Sequence, residues 1–120
     1  MIHRIYAALS WAAIGLGLVH VSATPRYSSQ LTQAALWFAS GGLLMILTGA
    51  LNLLNRAYGR GVPGLRRVSV ATNVVVVAFS VIMGIAGHPT LFEWAVVLGI
   101  FGGTLILSLL TGALLHPAAV

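Results

Sequence analysis

Apolar residues run almost unbroken through four stretches of the chain, residues 5–23, 31–55, 68–87 and 91–115, and polar residues gather between them. None of the four holds Asp, Lys or Arg, and the single Glu, Glu93, stands near the edge of the last. Each is close to the roughly 20 residues that an α-helix needs to cross a bilayer core. The pattern predicts an all-α membrane protein: one domain over residues 1–120, built as a four-transmembrane-helix bundle. The third stretch carries Val74-Val75-Val76-Val77, which favours a strand in a soluble protein. A lone strand leaves backbone groups unpaired in lipid, so the helix is the expected form there too. Val21-Ser22-Ala23 resembles a signal-peptide cleavage site, but the first stretch is read as a retained helix.

Breakers mark the connections. Pro25 is expected to end the first helix, since proline disfavours helical geometry in the residue before it. Gly59, Gly61, Pro63 and Gly64 break the segment Arg56–Arg67, His88-Pro89-Thr90 forms a tight turn, and His116-Pro117 ends the fourth helix.

Composition removes several classes of function. The chain is 59% hydrophobic and 6% charged, too few polar residues for a water-facing surface. The net charge of +5 does not point to nucleic acid, because all six basic residues are arginines and four sit in one loop beside membrane helices. Arg56, Arg60, Arg66 and Arg67 in that position instead suit anionic lipid head groups and report topology. With Arg4 they put five arginines on one side against Arg26 on the other, which predicts a multi-pass protein with both termini cytoplasmic. No lysine and abundant Ala, Gly, Val and Leu suit a bacterial inner-membrane protein, and the lack of cysteine excludes disulfides and thiol chemistry.

Two segments resemble each other. Gly41-Gly42 is followed by Leu47-Thr48-Gly49-Ala50-Leu51, and Gly102-Gly103 by Leu110-Thr111-Gly112-Ala113-Leu114. This is the signature expected of two similar helical hairpins in a parallel 2+2 repeat. Small residues one or two turns apart point to close helix packing: Gly42 and Gly49 with Ala35, Gly99 with Gly103, Ser108 with Gly112, and Ala8, Gly15 and Ser22 on the first helix. The same stripes are open to use in a homo-oligomer or a larger membrane complex. Asn52 and Asn73, at similar depth on either side of the arginine loop, are expected to pair between helices.

Candidate chemistry is sparse. His20 and His88 end the first and third helices on the outer side, where two imidazoles can hold a haem b or a metal ion. Glu93 follows His88 closely, so His20, His88 and Glu93 form a candidate polar site. The bland alternatives are interfacial histidines and a carboxylate favoured by the helix dipole, with Arg26 in reach. No catalytic motif or phosphate-binding loop is present, which points away from an enzyme. Length and helix count resemble the small multidrug-resistance transporters, which centre on a glutamate within the first helix. Here Trp11, Ala12, Ala13 and Ile14 occupy that region, so the chain is not assigned to them. The glycine-rich second helix is faintly similar to DoxX-like membrane proteins, without a matching charged residue.

Three functions remain from sequence. The leading one is a non-enzymatic bundle, either an accessory or structural subunit or a binder of lipid-like hydrophobic molecules. The second is a haem- or metal-binding protein using His20 and His88. The third is an oligomeric channel past Thr104, Ser108 and Thr111.

Overall fold

The computed structural model describes residues 1–27, 30 and 32–113, without the side chains of Tyr27, Gly112 and Ala113. His116 and Pro117 lie outside the described residues. Four helices follow one another: α1 (Ile2–Tyr27), α2 (Gln33–Tyr58), α3 (Pro63–Gly87) and α4 (Leu91–Ala113). All four are long and apolar enough to cross a membrane. At 26 residues α2 is about 39 Å long, several ångströms more than a hydrocarbon core about 30 Å thick.

Polarity is inverted relative to a water-soluble protein. Trp11, Val19, Trp37, Leu47, Val75, Ile82, Ile85 and Phe92 point outward and are more than half exposed. Ser10, Thr48, Asn52, Asn55, Ser69, Asn73, Thr104 and Ser108 are buried. In water this arrangement would leave the hydrophobic effect pulling the wrong way, whereas lipid makes the apolar exterior neutral and the hydrogen-bonded interior favourable.

Each helix presents one buried stripe at three- and four-residue spacing: Tyr6, Ser10, Ala13 and Gly17 on α1; Ser69, Asn73 and Val76 on α3; Phe101, Thr104 and Ser108 on α4. On α2 the stripe is Ala35, Gly42, Thr48, Gly49, Asn52 and Asn55. Neighbours in sequence are neighbours in space, α4 closes back onto α1, and α1 and α3 stand on the diagonal without close backbone approach. Ala13, Val76 and Phe101 form the apolar centre, flanked by Leu16, Leu44, Met45, Val77, Val97 and Ile100.

The tightest seam joins α1 and α2, where the backbones meet. A Cβ on Gly17 would lie 2.5 Å from the Gly42 carbonyl oxygen, and one on Gly49 would lie 2.6 Å from that of Ser10. Only glycine permits that approach. Gly103 sits beneath Leu9 of α1, and Gly84 of α3 lies under the Trp94 indole. Gly99 faces open space, as does Gly15, and Ala8, Gly15 and Ser22 are all exposed. The surroundings of Gly112 fall outside the described residues. Thus the packed stripe of α1 is rotated away from the small-residue heptad, with the Tyr6 hydroxyl bonded to asparagines of α2 and Gly17 against the α2 backbone.

Helix ends also differ from the boundaries expected from the breakers. α1 continues through Pro25 to Tyr27, since a proline in the last turn leaves just one carbonyl without its donor. α3 starts at Pro63, where a missing N–H costs nothing in the first turn. The connection between α2 and α3 is therefore only residues 59–62, and Arg56, Arg66 and Arg67 belong to helices.

Candidate functional site

The polar interior begins with the short linker. Because α2 and α3 are joined by one tight turn, Asn52 and Asn73 come level with each other, six and ten residues from the helix ends. Their amides pair reciprocally: Asn52 Nδ2 donates to Asn73 Oδ1 at 2.8 Å, and Asn73 Nδ2 donates to Asn52 Oδ1 at 2.9 Å. Asn52 Nδ2 also donates to the Thr48 carbonyl at 2.9 Å. From α1, the Tyr6 hydroxyl donates to Asn52 Oδ1 at 2.5 Å and accepts from Asn55 Nδ2 at 3.1 Å. Four side chains thereby tie three helices, and Tyr6, Asn52 and Asn73 are fully enclosed. Sequence reasoning named the two asparagines but missed Tyr6 and Asn55. The available signal was the spacing Asn52-x-x-Asn55, which places both amides on one face of α2.

Among the described residues two buried oxygens have no hydrogen-bond partner, Thr48 Oγ1 and Asn55 Oδ1. An unmet buried acceptor costs about 1–3 kcal/mol, so each marks a place where the fold accepts a penalty. Asn55 Oδ1 lies against Gly59, where any Cβ would collide with it.

Beyond this network the bundle end opens into a cavity of about 740 Å³. Tyr6, Asn55, Arg56, Arg60, Arg66 and Arg67 contribute to its wall, together with His3 and the apolar Val70, Ala71 and Leu109. The arginines divide into two kinds. Arg56 Nε donates to the His3 carbonyl at 3.0 Å, and an Arg60 guanidinium nitrogen lies 3.2 Å from His3 Nε2. A guanidinium has only donors, so that imidazole nitrogen is the acceptor. Both arginines thus brace the start of α1. The guanidinium groups of Arg66 and Arg67 have no hydrogen-bond or ion-pair partner among the described residues. No acidic side chain lies at this end among the described residues. Glu93, the one acidic side chain of the chain, heads α4 beside the α3–α4 turn.

The opposite end carries His20, His88 and Glu93. His20 is half-buried and its ring stacks on Phe38 with centroids 3.7 Å apart. His88 is exposed and occupies the left-handed region at φ 50°, its backbone N–H donating to the Gly84 carbonyl at 3.1 Å. It closes α3 as a C-cap, and Pro89 behind it prevents continuation. Glu93 accepts from the Thr90 backbone N–H at 2.7 Å and from its hydroxyl at 2.8 Å, while its own N–H donates to Thr90 Oγ1 at 3.3 Å. This is a capping box that starts α4. Among the described residues no hydrogen bond or ring contact joins His20, His88 and Glu93, and no three metal-ligating side chains converge. The buried Thr104 and Ser108 hydroxyls donate to the carbonyls of Phe101 and Leu105 in their own helix, at 2.8 and 2.7 Å.

Comparison with known protein families, with curated proteins and with solved structures gives no match. The site is therefore interpreted from its own residues: a cationic, apolar-sided cavity at one bundle end, floored by a neutral hydrogen-bonded network.

Proposed function

We propose that this is a non-enzymatic, multi-pass protein of a bacterial inner membrane that binds a lipid-like amphiphile at the arginine end of its bundle. The observation that supports the reading is the cavity itself, which sets cationic side chains beside apolar ones. Val70, Ala71 and Leu109 offer contact to a hydrocarbon chain, and the arginines offer it to a head group. Five of the six arginines lie at this end, which supports a cytoplasmic location for it and for both termini. The polar network beneath is neutral and links three helices, so it suits holding helices together better than proton or electron transfer.

The test is lipid retention. The full chain is purified in a mild neutral detergent, exchanged extensively, and its phospholipid content measured by mass spectrometry. About one phospholipid per chain is expected to remain. A folded protein that loses all its phospholipid under these conditions would refute the reading.

A further inference from the structure

We infer that the arginine-end cavity is a phosphate-binding site, with Arg66 and Arg67 as the pair that holds the anion. This rests on the lipid-binding reading and adds to it the chemistry of the head group. Arginines beside a membrane helix are commonly topological, and such residues usually point into solvent. Here four of them line one cavity. Arg56 and Arg60 are already committed to His3, so their side chains form a preset wall. Arg66 and Arg67 are consecutive residues of α3, both line the cavity, and neither guanidinium has a partner among the described residues. With the chain's only acidic side chain placed elsewhere, the demand for an anion is unmet from within the described residues.

A phosphate group suits this pair, because each planar guanidinium fork matches phosphate geometry and can bond it in bidentate fashion. The apolar side gives the direction of the rest of the ligand. Ala71, on α3, and Leu109, on α4, line the cavity and are exposed. A head group held by Arg66 and Arg67 thus has apolar side chains of α3 and α4 beside it for its hydrocarbon chain.

Phosphate can come from a lipid head group or from a soluble phosphate ester, and a binding titration separates them. The full chain in neutral detergent is titrated by native mass spectrometry with dioleoyl phosphatidylglycerol, with dioleoylglycerol, which has the same chains and no phosphate, and with glycerol 3-phosphate as competitor. Wild type is compared with Arg66→Gln/Arg67→Gln and with Arg26→Gln, which changes the opposite end. Two guanidinium contacts near the surface predict on the order of tenfold preference for phosphatidylglycerol over the phosphate-free dioleoylglycerol. That preference is expected to vanish in Arg66→Gln/Arg67→Gln and to persist in Arg26→Gln. If the double variant does not fold, Arg66→Gln and Arg67→Gln are measured singly, each with a partial loss.

Equal binding of the two lipids by wild type would overturn the phosphate site while leaving lipid binding intact. A preference that survives in the arginine variants would overturn the assignment to Arg66 and Arg67. Displacement of phosphatidylglycerol by glycerol 3-phosphate at equal affinity would keep the phosphate site and overturn the amphiphile reading on which it was built.

Discussion

Asn52 is the residue on which the interior turns, since its amide bonds to α1, to α3 and to its own helix. Interhelical hydrogen bonds in membranes average about 0.6 kcal/mol and reach about 1.7. Removing Asn52 also orphans groups on Tyr6 and Asn73, at about 1–3 kcal/mol. Asn52→Leu is therefore expected to lower unfolding free energy by about 2 kcal/mol in a denaturing-detergent titration. Asn52→Leu/Asn73→Leu should cost less than the two single changes summed, because neither amide is left unpaired. Strict additivity would deny the pairing. Glycines divide equally sharply at this scale. Gly42→Val would drive a side chain into the backbone of α1 and is expected to cost more than 2 kcal/mol, whereas Gly99→Val, facing open space, should change stability by less than about 0.5 kcal/mol. The same titration checks both.

Among the elements, α4 has the best-defined beginning and α3 the best-defined end, and the tight turn between them unites the two. His88 stops α3 in the left-handed conformation, and Thr90 with Glu93 starts α4 two residues later. Glu93 therefore acts first as a cap. Thr90→Ala removes the hydroxyl partner and is expected to destabilise the protein by about 1 kcal/mol. Amide hydrogen exchange should show the loss confined to the first turn of α4. Exchange that rises along the whole of α4 would mean that the cap governs the helix, not only its start.

For the whole molecule, the absence of cysteine makes topology directly measurable. Gly61→Cys, in the α2–α3 turn, is expected to react with an impermeant maleimide only after the inner membrane is opened. Gln30→Cys should react in intact spheroplasts. The reverse pattern would place the arginine cavity outside the cell and remove the cytoplasmic leaflet as its source of lipid. The two hairpins are not used alike in the fold: α1 and α2 meet backbone to backbone, whereas α3 and α4 meet through Trp94 over Gly84. Gly103, the counterpart of Gly42 in the sequence similarity, packs against α1, so both glycines serve the first helix.

The sequence by itself determined the four apolar helices, because their length and lack of charge leave no other form that satisfies the backbone in lipid. It also placed the arginines at one end and named Asn52 and Asn73, since a polar amide inside an apolar run has few ways to be satisfied. The rotation of each helix was not legible. Apolar side chains flank both sides of a membrane helix, so hydrophobic periodicity is weak, and the heptad of Ala8, Gly15 and Ser22 does not reveal that α1 packs through Tyr6, Ser10 and Gly17. Only the tertiary structure brought Tyr6 and Asn55 to the asparagine pair, residues 46 and 49 positions apart along the chain from their partners across the α1–α2 seam. It likewise separated arginines committed to His3 from those left free, because that division depends on which helix end lies within reach of each guanidinium and on no local pattern.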